Sequence, residues 1–207
     1  MKIKICGITN FADALAAVEN GAEMLGFNFY PKSARFIEPE NARKIGEQMP
    51  KYVLKVGVFV NESLDSVLKI ARAVRLDIVQ LHGDETPHFA SKITDVPVIK
   101  ALRVGNGFQP TRAAEYQTAI LLDAFDPNER GGTGKVFDWR IALETKKVVP
   151  ELILAGGLSP ENVSEAIKMV APSAVDVCSS IESQPGKKDL RKMREFILSA
   201  RKASKKL

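Results

Sequence analysis

The stretch Leu152-Ile153-Leu154-Ala155-Gly156-Gly157-Leu158-Ser159-Pro160-Glu161 decides the fold. A short run, apolar without interruption, stops at two adjacent glycines, and a helix opens almost at once. Ser159 reads as its N-cap and Pro160 as its first helical residue. A strand with no polar alternation is covered on both faces, the pattern of parallel strands flanked by helices. The helical pattern Pro160–Val170 then leads into a second apolar run, Ala174–Cys178. Together these segments make one strand–helix–strand crossover.

Outward from that unit the same alternation fills the chain. Further apolar runs occur at Lys2–Ile8, Met24–Tyr30, Leu54–Val60, Ile78–His82, Val98–Val104 and Ala119–Phe125, which makes eight in all. Amphipathic stretches such as Phe11–Glu19, Glu40–Met49, Leu64–Val74 and Leu190–Ala200 separate or follow them. No linker, composition shift or long repeat divides the sequence. Eight strand–helix units favour a single-domain (β/α)8 barrel (TIM barrel, α/β class) over residues 1–207 rather than an open doubly wound sheet. Residues 203–207 are expected as a flexible basic tail.

Composition narrows the function. The 207 residues are 45% apolar, enough for one buried core. No apolar run approaches the roughly 18 residues of a membrane span, and the opening residues form a strand pattern rather than an export signal. Cys6 and Cys178 lie far apart with no metal-ligand spacing, so they are expected as reduced thiols of a cytoplasmic protein, with no metal. Much of the formal charge of +5 sits in the last helix and tail, where aromatic residues are few. It reads as a solvated helix face rather than a nucleic-acid surface, and it suits an anionic small-molecule substrate.

Parallel barrels do their chemistry at the C-terminal ends of the strands. At the ends of the seventh and eighth strands stand Gly156-Gly157 and Ser179-Ser180. Glycine lets backbone N–H groups approach an anion, so these loops read as a phosphate cradle; tight turns that need glycine for geometry alone are the alternative. Cys6 closes the first strand as either a base or core filling. A base must be a thiolate, which a neighbouring cation such as Lys4 would favour. Asp123 follows the apolar Ile120-Leu121-Leu122 and reads either as a proton donor, since burial favours a protonated carboxyl, or as a loop-capping group. Arg35, in the loop after the second strand, has the guanidinium that grips a carboxylate in paired bonds. His82 reads as a satisfied rim histidine. Arg130-Gly131-Gly132-Thr133-Gly134 reads as a loop able to close over a substrate.

Several segments, in order, resemble the phosphoribosylanthranilate isomerase family. They are Lys4-Ile5-Cys6-Gly7-Ile8-Thr9, Tyr30-Pro31-Lys32-Ser33 with Arg35, Val79-Gln80-Leu81-His82-Gly83, Leu122-Asp123, and Gly156-Gly157-Leu158 with Pro160-Glu161-Asn162-Val163. The resemblance runs from residue 4 to about residue 189. It implies a cofactor-free Amadori isomerase of tryptophan biosynthesis acting on phosphoribosyl anthranilate, as monomer or homodimer. By that match Asp123 is the general acid, Cys6 the general base and Arg35 the anthranilate-carboxylate contact, while Gly156, Gly157, Ser179 and Ser180 bind phosphate. The related histidine-pathway isomerases place an aspartate where Cys6 stands. One departure concerns Asp176-Val177-Cys178-Ser179-Ser180, where the family usually has serine at 178 and glycine at 180. If Ser180 needs a positive φ, strain of about 1–2 kcal/mol is expected; its hydroxyl would otherwise donate to the phosphate.

Overall fold

The computed structural model describes residues 1–124 and 137–205. Phe125 and the Arg130–Gly134 loop expected to close over a substrate lie outside them. The elements run β1 (Lys2–Cys6), α1 (Phe11–Glu19), β2 (Met24–Asn28), α2 (Pro39–Glu47), β3 (Leu54–Phe59), α3 (Leu64–Val74), β4 (Ile78–Leu81), α4 (Pro87–Ser91), β5 (Val98–Val104) and α5 (Thr111–Ala114). Then follow β6 (Ala119–Ala124), α6 (Trp139–Lys146), β7 (Leu152–Leu154), α7 (Val163–Val170), β8 (Ala174–Val177), a single 3-10 turn (Ser179–Ile181), the strand pair β9 (Glu182–Gln184) and β10 (Lys187–Lys188), and α8 (Leu190–Ser204). Strands β1 to β8 close in sequence order, with β8 parallel to β1, into the expected barrel.

Two cores follow from the period-2 alternation of the strands. One parity points outward and packs under the helices, as Ile3, Ile5, Leu25, Phe27, Ile120, Leu122 and Val175 do. The other parity fills the barrel with Met24, Val56, Ile99, Ala101, Leu121, Ile153 and Ala174. The register sets Lys4 beside Met24 and Asp176, Gln80 beside Ile99, and Arg103 beside Asp123. Continued to the strand ends, the inward parity carries Cys6, His82, Asp123, Asp176 and Cys178. The barrel interior is therefore apolar apart from Lys4 and Gln80, and its C-terminal mouth is polar.

Most strands stop a residue or two before the apolar run does. β1 ends at Cys6 and not Ile8, because Gly7 turns the chain at a φ of +72°. Ser159 is not the helix N-cap: α7 begins at Val163, and Asn162 takes the cap position. Asn162 instead braces the glycine loop, its side-chain oxygen accepting from Ser159 N–H at 2.8 Å and its amide donating to Gly157 C=O at 2.8 Å. α8 buries the stripe Met193, Phe196, Ile197, Ala200 and Ala203 against the barrel. Ala203 and Ser204 thus belong to the helix and not to a tail.

Candidate active site at the barrel mouth

On the β1–β8 side the site is built around an ion pair. Lys4 Nζ lies 2.8 Å from Asp176 Oδ1, with the lysine side chain wholly buried. An ammonium is kept in such a place only by a partner. Burial pulls Lys4 down, but Asp176 and the Cys6 sulfur more than reverse this, so Lys4 stays charged. Burial lifts Asp176 to about 7 despite the attraction of Lys4. Gly26 makes room for the group: a Cβ there would stand 2.8 Å from Cys6 Sγ and 3.1 Å from Lys4 Nζ. Cys178, Lys4 and Lys188 hold the Cys6 thiol well below its ordinary value against the effect of burial. The neighbouring Cys6 and burial push Cys178 up, and the Cys178 Sγ lies 3.8 Å from Glu182 Oε1 and 3.8 Å from Lys188 Nζ.

Across the ring, beyond β7 and β8, Asp123 sits in a different setting. Its Oδ1 accepts from Ala124 N–H at 2.9 Å, and its Oδ2 lies 3.2 Å from His82 Nε2. His82 Nδ1 lies 2.9 Å from Gln80 Nε2. With the amide donating to Nδ1, the ring proton is placed on Nε2, facing Asp123. Gly156 explains its own identity here. Its φ is +73°, and a Cβ would meet Ala124 N at 2.4 Å, so only glycine lets the β7 loop lie on the backbone of Asp123 and Ala124.

At the rim, Glu182 of β9 receives Arg35 Nη2 at 2.8 Å and Arg35 Nε at 3.2 Å. Its other oxygen takes Lys188 Nζ of β10 at 3.0 Å. The Lys188 backbone N–H donates to Asp13 Oδ2 at 2.8 Å, which ties the small strand pair to α1. Arg35 therefore enters the site already held on one edge by a carboxylate. Ser180 lies in the 3-10 turn with an ordinary negative φ, so the strain considered for it does not arise. Its hydroxyl donates to Leu158 C=O and joins the β8 loop to the β7 loop.

One cavity of about 480 Å³ unites these groups, lined by Cys6, Arg35, Asp123, Gly156, Gly157, Ser179 and Ser180 together with His82, Asp176 and Cys178. Every site residue expected from the sequence faces it. Sequence reasoning misses the roles of His82 as the partner of Asp123, of Glu182 as the holder of Arg35, and of Cys178 beside Cys6. The inward parity of the strands is the available signal for the first and last of these.

A closed (β/α)8 barrel with a thiol and a carboxyl facing one cavity at the strand ends has the layout of a barrel enzyme working by proton transfer. The family profile described as N-(5'-phosphoribosyl)anthranilate (PRA) isomerase matches residues 3–199. The chain is 50% identical over 204 residues to N-(5'-phosphoribosyl)anthranilate isomerase of Trichlorobacter lovleyi, covering 98% of this chain and 99% of that one. The crystal structure of phosphoribosyl anthranilate isomerase from Thermotoga maritima is similar with a TM-score of 0.92 at 48% identity, over 98% of this chain and 99% of that one. A phosphoribosyl anthranilate isomerase in complex with reduced 1-(o-carboxyphenylamino)-1-deoxyribulose 5-phosphate is similar with a TM-score of 0.89 at 46% identity, over the same shares. This chain belongs to the N-(5'-phosphoribosyl)anthranilate isomerase family.

Proposed function

We propose that the chain isomerises N-(5'-phosphoribosyl)anthranilate to 1-(2-carboxyphenylamino)-1-deoxyribulose 5-phosphate, the Amadori step of tryptophan biosynthesis. Asp123 delivers a proton to the furanose oxygen. The ring opens to a protonated Schiff base at C1, whose positive charge acidifies the C2 proton. Cys6, as thiolate, removes that proton, and the resulting enolamine tautomerises to the ketone. His82 orients Asp123 by its bond to Oδ2. Lys4 and Cys178 hold Cys6 in its reactive form.

The two ends of the substrate have separate anchors. The phosphate takes the backbone N–H groups of Gly156 and Gly157 and the Ser179–Ser180 turn. The anthranilate carboxylate takes Arg35, whose guanidinium Glu182 holds against rotation. The observation that carries this reading is that Cys6 and Asp123 face one cavity from strands separated by β7 and β8, which leaves room for a sugar between base and acid.

The test is turnover of freshly prepared phosphoribosylanthranilate with chelator present, followed by loss of substrate fluorescence and identification of the product by mass. Conversion to the ketose is the expected result. A folded chain that binds inorganic phosphate but leaves the substrate unchanged overturns the reading.

A further inference from the structure

Strands β1 and β8 pair in parallel with Lys4 opposite Asp176 and Ile5 opposite Val177. The next position of that register sets Cys6 opposite Cys178. Neighbouring strands lie about 5 Å apart, within the Cα separation that a disulfide spans. Both residues have the inward parity, both are free thiols, and both line the same cavity. We infer that Cys6 and Cys178 form a reactive dithiol, a modification site that takes small-molecule disulfides and closes to an intramolecular disulfide across β1 and β8.

The surroundings supply each step of that exchange. The Cys6 thiolate attacks one sulfur of a disulfide RSSR; that S–S bond breaks and one RS⁻ leaves, while Cys6 carries SR. Cys178 then loses its proton, attacks the Cys6 sulfur and expels the second RS⁻. The protein loses two electrons, RSSR gains them, and the Cys178 proton together with one from solvent ends on the two released thiols. Cys178 Sγ lies 3.8 Å from Glu182 Oε1, which accepts its proton, and 3.8 Å from Lys188 Nζ, which favours the second thiolate. The inference goes beyond the proposed isomerase activity, and its chemistry stands without it. If Cys6 is the base, the closed disulfide also stops turnover.

Oxidised glutathione is the probe, added to the reduced wild-type chain with chelator present. Remaining thiols are then alkylated under denaturing conditions and the intact mass is read. The wild type should lose about 2 mass units, with no lasting glutathione adduct and no alkylation, and a dithiol reductant should reverse it. Cys178→Ser should keep one glutathione on Cys6. Cys6→Ser, with one thiol left, should show no loss of about 2 mass units. A lasting adduct on the wild type, or two thiols still open to alkylation after that exposure, overturns the dithiol. Turnover read in parallel separates the two ideas: a disulfide-bonded chain that still turns over removes Cys6 as base and leaves the dithiol standing.

Discussion

Around Cys6 the barrel gathers cations and a second thiol: Lys4 in its pair with Asp176, Cys178 alongside, and Lys188 above. Around Asp123 it sets a backbone N–H and an imidazole that is itself held by an amide. Cations favour the negative thiolate, whereas the contacts of His82 and Ala124 fix the direction of the carboxyl. The two halves of the mouth therefore differ in what their neighbours act on: the charge of the thiol on one side, the orientation of the carboxyl on the other.

The harshest way to break the comparison is to remove either centre. Cys6→Ser and Asp123→Asn should each lower kcat by about 10²- to 10⁴-fold, the usual worth of a positioned acid or base, while the circular dichroism of the fold persists. Serine does not ionise in this range, and asparagine has no proton to give. Near-native turnover in either variant ends its assigned role.

Lys4→Met attacks the thiol half through its support. It removes the partner of the buried Asp176, already lifted to about 7, so the loss of thermal stability should grow as pH rises and that carboxyl is made to ionise, towards about 3–5 kcal/mol. The lysine charge also favours the Cys6 thiolate, so its loss should move the inflection of Cys6 alkylation upward in pH, towards the ordinary thiol value of about 8.5. The sign is fixed: a lowered thiol value means that reactive thiolate persists to lower pH, and removing the cation forfeits that. Asp176→Asn, which deletes a negative charge from the same group, should shift the inflection the other way. An inflection common to all three chains would mean that the ion pair serves only the fold.

Arg35→Ala sharpens the comparison at the rim. Loss of a charged hydrogen bond to the substrate carboxylate is worth about 1.5–3 kcal/mol, so KM should rise by about 10- to 100-fold with kcat little changed. A KM close to that of the intact chain would reduce Arg35 to a brace for Glu182.

The sequence made the barrel legible because apolar runs without alternation at eight places leave little else to build. The ends of the strands exposed Cys6, Asp123 and the glycines for the same reason. What it hid depends on register and on bonds between distant segments. Nothing in a linear reading sets Cys178 beside Cys6 until β1 and β8 are aligned, or brings Glu182 to Arg35 until β9 and β10 fold over the mouth. The buried Lys100–Glu85 pair at 2.7 Å was equally hidden. Lys100 also donates to Gly83 C=O at 2.7 Å and so steadies the turn just after His82. Its strand position is outward, the parity that packs under the helices, so its charge needs the Glu85 partner that only the fold supplies.

Ser180 gives the mildest test and bears on how the two phosphate loops are held. Read as a replacement for glycine, it raised the prospect of a strained backbone; in the fold its φ is ordinary and its hydroxyl ties the β8 loop to Leu158 of the β7 loop. Ser180→Gly therefore removes a bond and adds freedom to the turn. One such hydrogen bond is worth about 0.5–1.5 kcal/mol, so KM for the phosphorylated substrate and Kd for inorganic phosphate should each rise by about 2- to 10-fold. The effect on kcat should be small, because the phosphate end lies away from C1 and C2. A fall in both constants would bring back strain as the explanation, and no change would show that the loops hold their places without the serine.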